Sequence, residues 1–122
     1  MEFVIYHNPK CSKSRATLQL LQDNGISPQV IHYLNTPPDH QQLDSILRGL
    51  EIEPSELMRK GEPEYSELDI ANSALGRDQL IEIMIANPRL IERPIVVAGD
   101  RIVIGRPPEN VLELLNWVAK SD

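Results

Sequence analysis

Two apolar runs of β-forming residues, FVIY at 3–6 and QVIHYL at 29–34, flank a stretch whose apolar positions repeat with a helical period. This alternation constrains the fold more than any other feature of the chain. From Ser12 to Asn24, residues Thr17, Leu18, Leu20 and Leu21 fall on a helical spacing, and Gly25 supplies a C-terminal stop. A strand, a helix and a strand joined by a crossover of this length pair the two strands in parallel.

Thr36-Pro37-Pro38-Asp39 then marks a turn and a helix start, and LDSILRGL (43–50) places apolar residues at 43, 46, 47 and 50. Residues 54–90 read as further short helices: PSELMRK with Arg59 near its end, SELDIANSAL, and RDQLIEIMIA, whose Leu80, Ile81, Met84 and Ile85 share a face. IVVA (95–98), the turn Gly99-Asp100 and RIVI (101–104) predict a hairpin. Pro107-Pro108 opens a last helix with Val111, Leu112, Leu114, Leu115 and Val118 on its inner face. The order β-α-β, helical block, β-β-α predicts a thioredoxin-like α/β fold with a helical insertion between its two halves. We expect one domain over 1–122, with the insertion at about 39–90.

A chain of 122 residues can bury a single core. No apolar run approaches the ~20 residues of a membrane span, and the N-terminus does not read as a signal peptide. One cysteine cannot form an internal disulfide, which points to a reducing compartment, the cytoplasm. The net charge of −6 resides in residues 39–69, where nine acids face three bases, and the remainder is balanced. No basic stripe exists for nucleic acid. Around Cys11, however, Lys10, Lys13 and Arg15 stand in a stretch free of acids, a setting for a small anion.

Cys11 lies where the first strand gives way to the first helix, so the unpaired amides and dipole of the helix start favour a thiolate over an inert apolar thiol. His7, Lys10 and Lys13 are candidates to add to this effect. In the C-x-x-S at 11–14, Ser14 cannot resolve a mixed disulfide, although its hydroxyl could hydrogen-bond the thiolate. An oxidised Cys11 would therefore need an external thiol such as glutathione, followed by a glutaredoxin-like protein. The phosphatase loop C-x5-R is excluded, because position 17 is Thr. In a thioredoxin fold the proline before the third strand, here Pro94, is usually cis and faces the active cysteine, which would bring Arg93 near Cys11. With Arg106 and Arg59 it forms a set of guanidiniums suited to a tetrahedral oxyanion. Arg15 fits an anion-assisting role and a surface role equally. Three scattered histidines and one cysteine give no metal-ligand spacing.

HNPKCSKSR (7–15), YLNTPP (33–38), LMRK (57–60), ERPIVV (92–97) and GRPPE (105–109), in this order and spacing, resemble the glutaredoxin-coupled arsenate reductases of the ArsC family, the short YfgD-like members most of all. Ser12-Lys13 departs from the Gly-Thr common in resistance-operon members. The resemblance implies Cys11 as the nucleophile toward arsenate, Arg59, Arg93 and Arg106 as arsenate ligands, and His7 as a residue that depresses the thiol pKa. It also implies glutathione as co-substrate, with no bound cofactor, and glutaredoxin as the partner that releases the mixed disulfide. Two other functions fit the same residues: a monothiol glutathione-dependent oxidoreductase on another substrate, and an Spx-type regulator of RNA polymerase, which Ser14 disfavours because those proteins usually carry C-x-x-C.

Overall fold

The computed structural model describes residues 2–121. The chain packs as two compact units, one formed by the residues up to Thr36 and from Arg93 onward, the other by Pro37–Glu92.

The first unit is built on four strands: β1 (Phe3–His7), β2 (Gln29–His32), β3 (Ile95–Ala98) and β4 (Arg101–Ile104). They lie side by side in the order β2-β1-β3-β4. β1 runs parallel to β2 and antiparallel to β3, and β3 is antiparallel to β4. The parallel pair requires the crossover supplied by α1 (Ser12–Asp23), and the chain ends on α5 (Val111–Ser121). This is the thioredoxin-like arrangement. Alternation along the strands puts Phe3, Ile5, Val96 and Ala98 into one cluster, where they meet Leu21, Val111 and Leu114. Each such fully buried aliphatic side chain contributes about 1.5–3 kcal/mol. α1 stops where the amides of Gly25 and Ile26 turn back onto the carbonyls of Gln22 and Leu21, with Gly25 at φ +79°.

Three local readings change in this unit. β2 ends at His32 instead of 34, because the amides of Asn35 and Thr36 both fold back onto the His32 carbonyl. Leu112 is exposed, since it sits off the stripe formed by Val111 and Leu114. The last helix is preceded by a 3₁₀ turn, Pro108–Asn110.

The second unit carries α2 (His40–Leu50), α3 (Pro63–Glu67) and α4 (Arg77–Ala86), with 3₁₀ turns at Pro54–Leu57, Ile70–Asn72 and Pro88–Leu90. Asp39 caps α2 by accepting from the Gln42 amide, while the Gln42 side chain accepts from the Asp39 amide. Leu43, Ile46 and Leu47 of α2 and Ile81 and Met84 of α4 are buried. PSELMRK is not a helix through to Arg59. A single 3₁₀ turn ends at Leu57, and Met58 forms an isolated antiparallel bridge with Ile91. Arg59 is consequently held in extended chain.

His40, at the start of α2, meets Glu82 of α4 through Nδ1 at 2.5 Å and Asp78 through Nε2 at 3.2 Å. The Glu82 hydrogen bond raises its pKa most, burial opposes it, and Asp78 adds to the net rise. A raised folded-state pKa means that the bond stabilises fully below the ordinary value of 6.5 and is lost as pH rises through the elevated one. His40→Gln should therefore lower the urea midpoint in acidic buffer below about pH 6.5 and leave it unchanged in alkaline buffer, as read from paired denaturation curves.

Candidate active site

The site in the first unit is assembled at the end of β1. Beyond His7 the chain makes a tight loop in which the Asn8 side chain accepts from the Lys10 amide at 3.0 Å and the Asn8 carbonyl accepts from the Cys11 amide at 3.0 Å. Cys11 is the N-cap of α1, with extended backbone at φ −97° and ψ 122°. Its carbonyl takes the first helical bond, from the Arg15 amide at 3.0 Å. Arg15 reaches back and donates to the Pro9 carbonyl at 2.9 Å, so its guanidinium braces the loop.

The Cys11 thiol is partly exposed. Burial, the largest single influence, raises its pKa, but this is outweighed by the Ser14 amide, the Arg93 guanidinium and the Lys13 amide together. The net position lies below the ordinary thiol value. Neither amide closes a tight capping hydrogen bond to the sulfur. They act as oriented dipoles at the helix start, which is where a thiolate gains most from them.

Ser14 serves the thiol differently from the expectation that its hydroxyl would reach it. That hydroxyl is fully buried, shares a 2.6 Å hydrogen bond with His7 Nδ1 and accepts from the Asn8 amide at 3.0 Å. What Ser14 offers the sulfur is its main-chain N–H. His7 also differs from expectation. Burial above all, then His32 and Arg15, lower its pKa, so the imidazole is neutral near pH 7 and brings no positive charge to the thiol. His7 acts by fixing Ser14, and hence the turn whose amides face Cys11. Its ring lies edge-on to that of His32 at a centroid distance of 6.0 Å.

The hairpin register delivers the arginines of this unit. β3 and β4 pair Ile95 with Ile104, and the ladder continues as the Gly105 amide donates to the Pro94 carbonyl at 2.9 Å. One step further along the same register, Arg93 stands opposite Arg106. Both Arg93–Pro94 and Arg106–Pro107 peptide bonds are cis. The Arg93 guanidinium acts on the Cys11 thiol and lowers its pKa. Arg106 Nη1 lies 3.8 Å from that sulfur and also donates to the Arg93 carbonyl at 3.3 Å.

Residues outside the sequence-level set hold this geometry. Asn110 donates to the carbonyls of Ile104 and Arg106, both at 3.2 Å. Thr17 donates to the Lys13 carbonyl at 2.8 Å and to the Gly105 carbonyl at 3.3 Å. A Cβ on Gly105 would stand 2.5 Å from Thr17 Oγ1 and 2.8 Å from Pro94 Cγ, so only glycine lets the Arg106 segment lie this close to α1. The Gly-Arg-Pro-Pro string following an apolar strand was the available signal for Gly105; nothing local marks Thr17 or Asn110.

Arg59 belongs to the second unit. Its amide donates to the Leu90 carbonyl at 2.7 Å, and its guanidinium meets Glu62 through Nε at 3.2 Å and Glu92 through Nη1 at 3.5 Å. Among the described residues, no group of three or more His, Cys, Asp or Glu side chains could hold a metal ion. No helix among them is long and apolar enough to cross a membrane.

Residues 6–114 match the model of the ArsC family. The chain is 53% identical over 112 residues to the uncharacterized protein YfgD of Escherichia coli strain K12, with 91% of this chain and 94% of that protein covered. It is 44% identical over 116 residues to the arsenate reductase of Haemophilus influenzae, covering 94% of this chain and 100% of that one. Among solved structures, the arsenate reductase from Vibrio cholerae superposes with a TM-score of 0.89 at 51% identity, covering 93% of this chain and 97% of that one.

Because burial alone would raise the thiol pKa, removing a compensating cation should expose the opposing influence. Arg93→Ala should move the midpoint of the pH–rate profile for Cys11 alkylation by iodoacetamide upward, whereas Arg15→Ala, which removes only the brace on Pro9, should move it much less.

Proposed function

The chain belongs to the ArsC family, and from this we propose that it is an arsenate reductase that converts arsenate to arsenite through Cys11, with glutathione and glutaredoxin as the source of electrons. The observation that carries the reading is a cysteine at a helix start whose thiol pKa is lowered by the first-turn amides and Arg93, with Arg106 Nη1 3.8 Å from its sulfur. A thiolate supplies the nucleophile. The guanidiniums supply planar, paired donors for the oxygens of a tetrahedral anion, at about 1.5–3 kcal/mol per charge-assisted hydrogen bond.

The steps follow from the chemistry of one thiol. The Cys11 sulfur attacks arsenic, an oxygen leaves as water, and a sulfur–arsenic(V) bond forms. Arg93 and Arg106 neutralise the oxygens as charge redistributes. Glutathione thiolate then attacks the Cys11 sulfur. The sulfur–arsenic bond breaks with its electron pair moving to arsenic, which leaves as arsenite, and Cys11 is left as a mixed disulfide with glutathione. No second cysteine exists in this chain to resolve it. Glutaredoxin therefore takes the glutathionyl group by thiol–disulfide exchange and returns Cys11 to the thiolate. The cytoplasm, with its reduced glutathione pool, is the compartment in which this cycle runs.

Arsenate-dependent NADPH oxidation, coupled through glutathione, glutaredoxin and glutathione reductase, tests the reading. We expect turnover in the wild type, none in Cys11→Ser, and a loss of about 10²–10³-fold in kcat for Arg93→Ala or Arg106→Ala, as when one oxyanion donor is removed. Folded wild-type protein that shows no arsenate response but strips glutathione from other disulfides would instead be a monothiol oxidoreductase.

A further inference from the structure

Arg59, an arginine of the anion set expected from the sequence, is surrounded by carboxylates, and the arrangement is specific. Met58 bridges Ile91 in antiparallel fashion, the Arg59 amide donates to the Leu90 carbonyl at 2.7 Å, and the Glu92 amide donates to the Leu57 carbonyl at 2.8 Å. These bonds set the main chain of Arg59 beside that of Glu92, and their side chains meet at 3.5 Å. Three residues along from Arg59, Glu62 takes its Nε–H at 3.2 Å. The second oxygen of Glu62 is pinned by Arg89 at 3.0 Å, so this carboxylate does not swing freely. Glu64 faces Arg89 at 3.7 Å.

Resting on the arsenate-reductase reading, we infer that Glu62 and Glu92 are specificity-determining counter-charges. They aim the Arg59 fork while weakening its hold on an oxyanion. Of the five donors on a guanidinium, Glu62 takes the one on Nε and Glu92 one on Nη1, which leaves the outer Nη face to meet a ligand. With side-chain exposures of 24% for Arg59, 16% for Glu62 and 29% for Glu92, the cluster is only partly screened by water. An oxyanion bound at the outer face would lie roughly 7 Å from each carboxylate, where each negative charge weakens anion binding about threefold to tenfold at an effective dielectric of roughly 35–75, closer to water than to a protein interior.

The consequence bears on a competition that charge and shape cannot decide. Phosphate and arsenate present the same tetrahedral oxygens to an arginine. They differ in how readily the central atom bonds to a thiolate. A strongly electropositive arginine would retain both; a damped one retains neither by charge alone.

The test is direct binding of inorganic phosphate, followed by the Arg59 Nε–Hε resonance in nitrogen-15 NMR spectra of the full chain. Wild type, Glu62→Gln, Glu92→Gln and Glu64→Gln are compared, each checked for its fold by its amide spectrum. Glutamine keeps an acceptor oxygen in place and removes only the charge, and damage to the fold would loosen binding, not tighten it. We expect the dissociation constant for phosphate to fall about threefold to tenfold in Glu62→Gln and in Glu92→Gln, and to stay at the wild-type value in Glu64→Gln. Unchanged or weaker binding in the first two, or no response at Arg59 in any of the four proteins, would overturn the inference. Arsenate turnover measured alongside separates the two ideas. Its absence in wild type removes the proposed reaction, while the counter-charge role still stands or falls on the phosphate constants.

Discussion

A sulfur that must be both charged and partly buried meets a conflict, because withdrawal from water favours the neutral thiol. At Cys11 that desolvation is the largest single influence on ionisation, and the site depends on outweighing it. The helix start does so with main-chain amides, which come fixed in place and need no side-chain ordering. Arg93 does so with a full positive charge. His7 and Ser14 contribute without touching the ionised form, since a neutral imidazole bonded to a buried hydroxyl locks the turn whose amides are needed.

The sheet supplies the second requirement, two arginines on one sulfur. A two-residue turn at Gly99-Asp100, with Gly99 at φ +64°, sets the β3–β4 register. That register is then propagated through the Pro94–Gly105 hydrogen bond to the facing pair Arg93 and Arg106. The close approach of Gly105 to Thr17 ties this end of the hairpin to the helix that carries Cys11. Arg93, Arg106 and Cys11 thus stand directly beside regular elements, β3, β4 and α1, whose pairing and packing fix where these residues lie.

Much of this was legible from local pattern. The alternating apolar runs of β1, β3 and β4 and the periodic faces of α1 and α4 announce themselves, because their burial is repeated along the element. So does the strand-to-helix junction at which Cys11 stands. What stayed hidden depends on contacts far apart in the chain. The Met58–Ile91 bridge holds Arg59 in extended backbone, where local propensity suggests a helix end. The partners of Arg59 include Glu92, which no spacing rule connects to it. Ser14 was read as a thiolate partner from its position in C-x-x-S, but a hydroxyl that faces the interior is claimed by His7 and the Asn8 amide instead. β2 was read two residues too long, since an apolar pattern carries no trace of the two amides that close onto the His32 carbonyl.

The central claim is that arsenic, held at Cys11, is what brings glutathione onto this sulfur. Intact-mass spectrometry of the protein incubated with glutathione and arsenate, with glutaredoxin left out, tests it in one step. The account predicts a single glutathione adduct, mapped to Cys11, that accumulates only when arsenate is present and disappears on adding glutaredoxin. An adduct that forms equally well without arsenate, or none at all on a folded protein with an alkylatable Cys11, would contradict it.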